Sequence, residues 1–352
     1  MQIHATNING LGASQVVISF LDAFEKSKNS DKSIIHLPNS GILACYQPNK
    51  GVIQRFNRIL PNAISRLLEC LFSRFFFKNI PTIVLGDIPL RGITDQVVLV
   101  HQPNLIYPKI NSFSSTSLTF RVNRFLFTIN HKFAKKIIVQ TGAMAKDMID
   151  SYPSLKEKIV ISPQPVPNWL SQEKNVKTNN IDKTILFYPA AFYPHKKHQF
   201  LIALDSYCKK NKIDTSNFEI RLTLTKEEFA PLKNIDFLKN LGRLNAKEMN
   251  ICYKEVDALL FLSSMESYGL PLVEALTINL PIVTAEFNYS TWLCEDVAYY
   301  FKPYEEESIL MAIDKLISDI KENKVFNYDN VLMKFPNSWE DVVIIYEKAL
   351  KE

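Results

Sequence analysis

The sequence lacks the features typical of membrane-spanning, disulfide-bonded and metal-centred proteins. No apolar run approaches the roughly 20 residues that a membrane-spanning helix needs. The five cysteines are scattered and show no metal-ligand spacing, which predicts free thiols in a reducing cytoplasm. No signal pattern precedes the first apolar segment, so we expect a cytoplasmic protein.

The charge of the chain is too small to indicate a nucleic-acid partner. Lys and Arg number 41 against 36 Asp and Glu, a net charge of +5. Such a mildly basic balance suits an anionic small ligand or an anionic membrane surface, and we expect no nucleic-acid binding. The length of 352 residues and the hydrophobic content of 47% predict two folded domains of ordinary size.

The most informative stretch is a polar turn that joins a predicted strand to a predicted helix. The apolar run Ala258–Leu262 is typical of a buried parallel strand. The turn after it contains Glu266 and Gly269, and Pro271 suits the first turn of a helix. Glu274 then lies about one turn into that helix. The order is therefore strand, polar turn with a carboxylate, and helix N-terminus.

This turn has the chemistry of a site for a sugar joined to a nucleotide through a diphosphate. A helix N-terminus favours a phosphate, and Gly269 lets a ligand approach the main chain closely, with Tyr268 and Leu270 on either side. Glu274 can accept hydrogen bonds from vicinal ribose hydroxyls. Glu266, at the strand end, can face a second hydroxylated group.

Two glutamates eight positions apart around Gly-Leu-Pro resemble the paired-glutamate signature of retaining glycosyltransferases of family 4, which have the GT-B fold. A bare pair at this spacing is more often two solvated residues, but the intervening Tyr-Gly-Leu-Pro favours the family. The resemblance implies that Glu266 lies by the donor sugar and that Glu274 binds the ribose. It implies an α/β chain with two Rossmann-like domains facing across a cleft. The predicted parts are an acceptor-binding domain 1–165, a nucleotide-sugar-binding domain 166–335 and a C-terminal helix 336–352 crossing back to the first domain.

Two further segments in the N-terminal half resemble the family, one with Gly10 and Gly12 and the other with His101. Gly10 and Gly12 follow the first strand and precede a helix from about Gln15, where a glycine-bearing turn can cradle donor phosphates. Alone, Gly-x-Gly is as often a plain tight turn. His101 follows a predicted strand, and a lone histidine is often a packed core residue. The resemblance implies that His101 binds the donor sugar or orients the acceptor hydroxyl.

The second domain opens with a strand and a basic loop that resembles the family's diphosphate clamp. Lys196 matches the lysine of that clamp, whereas the usual arginine position falls near Ala190 or Ala191. Lys197, His195 or a residue elsewhere is therefore expected to compensate, although both lysines could be an ordinary solvated pair. The segment ending at Leu244 resembles the part of the family that contacts the nucleotide base through its main chain.

A basic and aromatic stretch in the first domain predicts contact with an anionic membrane. From Arg55 to Lys78, apolar residues recur at helical spacing with basic residues such as Arg66 and Arg74 at their borders. The alternative is a core helix with solvated arginines, which is commoner for a single helix. A second such stretch, from Phe120 to Lys136, strengthens the membrane interpretation.

The predicted function is transfer of a hexose from a nucleotide-diphosphate sugar to a hydroxyl of a glycan or lipid-linked glycan, with retention of configuration, in bacterial O-antigen or capsule assembly. No Asp-x-Asp occurs, so we expect neither a metal nor another cofactor. Lys196 and the Gly269 helix end would stabilise the leaving diphosphate. The alternatives are a nucleotide-sugar epimerase or a phosphorylase of the same fold, or a non-catalytic partner subunit, which the missing arginine favours.

Overall fold

The computed structural model describes residues 1–8, 11–57, 62–106, 118–165, 170 and 183–352. The chain divides into two compact units. Unit 1 comprises Met1–Pro165 and Phe335–Glu352, and unit 2 comprises Val166–Lys334. Each unit is built on one parallel sheet.

The strands are short, and most of their residues are buried. Within the described residues they are β1 Gln2–His4, β2 Ile34–Pro38, β3 Val52–Phe56, β4 Thr82–Val84, β5 Gln96–Leu99, β6 Lys136–Val139, β7 Ile159–Ile161, β8 Thr184–Tyr188, β9 Phe218–Leu222, β10 Leu238–Asn240, β11 Ala258–Phe261, β12 Ile282–Ala285 and β13 Tyr299–Phe301.

Helices alternate with these strands along both units. Within the same described residues they are α1 Leu11–Phe24, α2 Asn62–Leu71, α3 Ser73–Phe76, α4 Pro103–Ile106, α5 Leu118–Asn130, α6 Gly142–Ser151, α7 Phe200–Asn211, α8 Lys226–Phe229, α9 Ala246–Glu255, α10 Leu270–Thr277, α11 Asn288–Cys294, α12 Glu306–Lys321, α13 Asp329–Leu332 and α14 Trp339–Lys351.

The unit 1 sheet has the strand order β3-β2-β1-β4-β5-β6-β7, with every pair parallel. Side chains alternate between its faces because the strand period is two. On β4, Ile83 packs with α1 and α14 on one face, whereas Val84 packs with α5 and α6 on the other. The chain order reverses between β1 and β4, which makes the carboxyl ends of these strands a topological switch point.

The unit 2 sheet has the equivalent order, β10-β9-β8-β11-β12-β13, and is also parallel throughout. Its central strands are buried on both faces; every residue of β11 and β12 is buried. This explains why they are continuous apolar runs rather than alternating ones. The switch point of this sheet lies between β8 and β11.

Several predicted elements are confirmed closely. The strand that opens the second domain begins at Thr184, and the helix that follows Gly269 begins at Leu270, as the sequence indicates. The C-terminal helix begins after Ser338, whose hydroxyl accepts a hydrogen bond from the Asp341 main-chain N–H, and the helix packs within unit 1. The first helix begins earlier than predicted, at Leu11.

The predicted basic helix from Arg55 to Lys78 is wrong in its extent. Arg55 lies on the edge strand β3, and helix α2 begins only at Asn62 and ends before Phe72. Arg66 does not border a free surface. Its guanidinium is buried and donates a hydrogen bond to the Gly86 carbonyl. The helical periodicity correctly predicted α2, but its charged residues Arg66 and Glu69 are buried within unit 1. In the part of the chain that the structure describes, we find no helix with the length and apolarity to cross a membrane.

Candidate functional site

The switch point of unit 2 brings together the two loops that the sequence singles out. Strands β8 and β11 are neighbours, and their chains leave to opposite sides of the sheet. Ligands of open α/β sheets bind in the crevice outside the carboxyl ends of such strands. Residues 189–199 follow β8 and residues 262–269 follow β11, so both loops border this crevice.

Main-chain hydrogen bonds join the two loops. The Ser264 N–H donates to the His195 carbonyl over 2.7 Å, and the Ser264 hydroxyl donates to the same oxygen over 3.1 Å. The Tyr188 hydroxyl, at the buried end of β8, donates to the Lys196 carbonyl. Lys196 is therefore held on a folded-back loop rather than on a free one.

Lys196 and Glu266 form an ion pair at this crevice. The Lys196 ammonium donates to Glu266 Oε1, and each side chain is 15% exposed. The ammonium also lies 5.3 Å from the centroid of the Phe261 ring. The structure thus brings together the residue predicted to bind diphosphate and the one predicted to lie by the donor sugar.

Helix α10 begins at the same crevice. Gly269 caps it with φ 83° and ψ 53°, a left-handed conformation that favours glycine. A Cβ at this position would come within 3.2 Å of Leu293, so a larger residue would also be crowded. Leu270 is half-buried and is the first helical residue. The first turn of a helix has main-chain N–H groups without an intrahelical partner. Tyr268 is buried, with 3% of its surface exposed.

Glu274 lies on the second turn of α10 and is 5% exposed. Its Oε2 accepts a hydrogen bond from the Tyr253 hydroxyl over 2.5 Å. Burial raises the pKa of Glu274 to about 7, although the Tyr253 hydrogen bond acts in the opposite direction. Near neutral pH both the neutral and the ionised forms of the carboxyl group are therefore populated. A ribose hydroxyl that donates to it would favour the ionised form.

Leu244 lies in the loop between β10 and α9 and is half-buried. The loop is anchored at both ends. The Leu241 N–H donates to the Leu222 carbonyl over 2.8 Å, and Asn245 caps α9 through its hydrogen bond from the Glu248 N–H. The segment is thus a fixed main-chain surface, as expected of a base-contacting loop.

The two positions where the family's arginine is expected are Ala190, which is buried, and Ala191, which is half-buried. The side chains of Lys196 and Lys197 have different partners. The Lys197 main chain is left-handed (φ 55°), and its ammonium lies 5.2 Å from the Tyr304 ring centroid. Burial lowers the pKa of His198 to about 4, and the charges of Lys196 and Arg243 act in the same direction. Arg243 therefore lies close enough to influence the loop that contains His198. Arg243 itself pairs with Glu228 over 2.7 Å.

The other predicted residues lie in unit 1. His101 follows β5, and its main-chain N–H donates to Asp87 over 2.8 Å. Gly12 is the second residue of α1, and nothing lies within 4 Å of a Cβ built on it. Gly10 lies outside the described residues.

Sequence reasoning missed three polar residues that support these sites, namely Asp87, Tyr188 and Tyr253. A signal existed for Asp87, because Gly86-Asp87 follows a buried strand and polar residues at strand ends border ligand sites. The two tyrosines gave no signal, since Tyr188 ends an apolar strand and Tyr253 lies within an ordinary amphipathic helix. Among the described residues, no group of three or more His, Cys, Asp or Glu side chains is arranged to hold a metal ion.

Comparison with known proteins identifies relatives of this chain. Residues 171–333 match the family model of glycosyl transferases group 1. The O-antigen chain mannosyltransferase RfbU of Salmonella typhimurium is 22% identical over 201 residues, 55% of this chain and 54% of that protein. The match thus spans about half the length of that curated relative.

Solved structures resemble the whole chain. A glycosyltransferase from Rickettsia africae matches with a TM-score of 0.66 and 13% identity, over 100% of this chain and 98% of that one. Anabaena Alr3699/HepE in complex with UDP-glucose matches with a TM-score of 0.68 and 14% identity, over 99% and 98%. WaaG, a glycosyltransferase involved in lipopolysaccharide biosynthesis, matches with a TM-score of 0.64 and 12% identity, over 100% and 99%. These likenesses confirm the predicted GT-B fold, and with the match of residues 171–333 they support a glycosyltransferase family for this chain.

Proposed function

We propose that this protein is a retaining glycosyltransferase that moves a hexose from a nucleotide-diphosphate sugar to an acceptor hydroxyl. The observation that carries the proposal is the pairing of Lys196 with Glu266 at the switch point of unit 2, beside the N-terminus of α10. A cation and a set of main-chain N–H groups at one crevice suit a diphosphate. A carboxylate at the same place suits the hydroxyls of the attached sugar.

In the proposed reaction the acceptor hydroxyl attacks the anomeric carbon on the face that the diphosphate leaves. The bond from that carbon to the departing phosphate oxygen breaks, the glycosidic bond forms, and the phosphate takes the acceptor's proton. The protein then contributes positioning and electrostatic stabilisation of the leaving group. Lys196 supplies a positive charge, and Gly269 and Leu270 open the helix end toward the phosphates. These groups balance the charge without a bound metal.

The names of two relatives support the proposed acceptor and setting. The matched protein of Salmonella is named an O-antigen chain mannosyltransferase, and one structural neighbour is described as involved in lipopolysaccharide biosynthesis. A bacterial surface glycan, carried on a lipid at the cytoplasmic face of the membrane, is accordingly the proposed acceptor. Mannose is the first sugar to test.

Donor binding should raise the melting temperature. A panel of UDP, GDP, ADP and TDP sugars, with a mannose donor included, should give one nucleotide that raises it by several degrees, because a ligand at about 100 times its Kd adds about 2.7 kcal/mol to the free energy of unfolding. Proton NMR of the product should then show the donor's anomeric configuration. If no nucleotide sugar shifts the melting temperature, or if the configuration inverts, the proposal is wrong.

Contact with an anionic membrane also belongs to the proposal, now on a smaller surface than the sequence indicated. Phe72, Phe75 and Phe76 are all exposed on the segment from the end of α2 through α3, and Arg74 and Lys78 beside them are exposed as well. The acidic residue of this region, Glu69, is fully buried against His4. Exposed aromatic rings with basic neighbours and a buried acid suit an anionic lipid surface.

Phe75→Ser should weaken binding to anionic vesicles by about tenfold, because one aromatic ring no longer enters the lipid interface. Phe75 is 85% exposed, so the fold should be unaffected. Val325→Ser is the matched control, since Val325 is 87% exposed in unit 2. Co-sedimentation with phosphatidylglycerol vesicles at low and high salt measures both. Equal binding by the two variants would count against this surface.

A further inference from the structure

The switch point of unit 1 holds a second cluster of residues, of which the sequence indicated only His101. Strands β1, β4 and β5 are neighbours, and their carboxyl ends lie at one edge of the sheet. Asn7 follows β1, Gly86 and Asp87 follow β4, and His101 follows β5. By the rule for open α/β sheets, this edge borders a ligand crevice.

The main chain that carries Asp87 is held in place from several sides. The Gly86 carbonyl accepts hydrogen bonds from the Arg66 guanidinium and from the Asn7 amide, the latter over 3.1 Å. A Cβ on Gly86 would lie 2.0 Å from the Asn7 side-chain oxygen, so only glycine fits. The Asp87 N–H donates to the Leu99 carbonyl over 3.1 Å.

Asp87 itself has φ 69°, a left-handed conformation that few residues other than glycine adopt. Such conformations cost free energy and cluster at functional sites. The tight packing of Gly86 and the Leu99 hydrogen bond hold Asp87 in this conformation. Its carboxylate is thereby directed at the segment after β5.

The Asp87 carboxylate organises the His101 segment. Its Oδ1 accepts the N–H groups of His101, over 2.8 Å, and Gln102, over 3.0 Å. The same oxygen lies 3.4 Å from His101 Nδ1, and the Asp87 side chain is 13% exposed. Nδ1 is buried and has no hydrogen-bond partner among the described residues. That ring nitrogen therefore faces a carboxylate at a fixed position.

We infer that Asp87 is a positioning residue for His101, which it holds in the Nδ1–H tautomer. A proton on Nδ1 faces the negative oxygen favourably, whereas a lone pair there would be repelled. Nε2 then carries the lone pair and can accept a hydrogen bond from a substrate hydroxyl. This inference rests on the proposed function, in which His101 contacts the donor sugar or the acceptor.

A simple structural role for Asp87 is the competing explanation, since two main-chain N–H groups depend on its carboxylate. Asp87→Asn separates the two. Asparagine tolerates the left-handed conformation, and its carbonyl oxygen can accept both N–H groups, but the negative charge is lost. Asp257→Asn is the matched control, because Asp257 accepts the Ile185 N–H over 2.8 Å in unit 2, just before β11.

Long-range ¹H–¹⁵N NMR of histidine-labelled protein measures the tautomer, with the His101 signals identified by their loss in His101→Gln. We expect the Nδ1–H form in the wild-type protein and in Asp257→Asn, and a shift toward the Nε2–H form in folded Asp87→Asn. The same tautomer in all three proteins, or the Nε2–H form in the wild type, overturns the inference.

Activity is the second measurement. Asp87→Asn should lower kcat by about tenfold and leave the donor KM nearly unchanged, because orientation of a proton-accepting group affects the reaction more than ground-state binding. If the tautomer shifts but no nucleotide sugar supports turnover, the proposed function fails and the role of Asp87 in setting the tautomer stands. If turnover occurs but kcat and the tautomer are both unaffected, only the role of Asp87 fails.

Discussion

Lys196→Gln should lower kcat by about a hundredfold or more while the protein stays folded, because a preorganised cation at a leaving group commonly contributes that much. In the free protein the Lys196 ammonium already lies at the crevice, held by Glu266 and by the Phe261 ring. Its main-chain carbonyl is held by the Tyr188 hydroxyl. The charge is therefore in place before the donor arrives, which is what makes its removal costly.

Lys197→Gln is the matched control for that variant. The two lysines are adjacent in sequence, yet Lys197 faces the Tyr304 ring rather than Glu266. Its removal should change kcat by about twofold at most, since an exposed cation–π contact contributes little. Circular dichroism and melting temperature establish that both variants fold. If Lys197→Gln abolishes turnover and Lys196→Gln does not, then Lys197, and not Lys196, stabilises the leaving diphosphate.

The double variant Lys196→Gln/Glu266→Gln distinguishes the contribution of the ion pair to stability from its contribution to kcat. Lys196→Gln leaves Glu266 without its cation, so part of the loss could reflect a displaced carboxylate. The double variant removes that unpaired charge. It should regain stability, whereas kcat should stay low because the diphosphate lacks its cation and the donor sugar lacks the Glu266 carboxylate.

The sequence predicted the elements of unit 2 well because local signals and burial agree there. The run Ala258–Leu262 is apolar on both faces, Gly269 is the residue that a left-handed cap requires, and Pro271 suits a first helical turn. The edge strands were missed for the opposite reason. β3 and β10 are short and half-exposed, so their residues show neither a continuous apolar run nor a clear alternation.

Side-chain partners from distant parts of the chain could not be predicted. Arg66 had the sequence signature of a surface residue, but its guanidinium bonds to a carbonyl 20 residues along the chain. Glu274 was expected at a ligand site, yet nothing in the sequence indicates that a buried tyrosine 21 residues earlier holds it. Periodicity gives the face of a helix, whereas these contacts depend on which loops the sheet order brings together.

The buried position of Glu274 makes donor affinity depend on pH. Burial raises the pKa of Glu274 from 4.5 to about 7 in the free protein. A ribose hydroxyl bonds more strongly to the ionised carboxylate, so donor binding should favour loss of the proton. The affinity for an intact nucleotide sugar should therefore rise by about tenfold per pH unit below pH 7 and become constant above it. Nucleotide sugars are the right ligands because their diphosphate does not titrate in this range.

Glu274→Gln is the variant that decides this prediction. The amide keeps the Tyr253 hydrogen bond but cannot ionise, so its donor affinity should be independent of pH and about tenfold weaker than that of the wild type at pH 8. Calorimetry in two buffers of different ionisation enthalpy should show that the wild type, but not the variant, releases roughly half a proton on binding at pH 7. A pH-independent affinity in the wild type would contradict the ribose assignment.

The stability of the ligand-free protein should fall as the pH rises, whereas its donor affinity should increase. The pKa of Glu274 is higher in the folded state than in the unfolded one, so the folded protein binds the proton more tightly. Its contribution to stability is complete below pH 4.5 and is lost as the pH rises through 7. Above pH 7, free Glu274→Gln should therefore be more stable than the wild type, by up to about 3 kcal/mol. Urea unfolding at pH 5 and pH 8 measures this difference.

Two outcomes of this experiment have different meanings. If Glu274→Gln binds the donor less tightly but unfolds at a higher urea concentration, the Glu274 carboxylate contributes to ligand binding and destabilises the free protein. A variant that is less stable at pH 8 would show instead that the carboxylate is a structural partner of Tyr253.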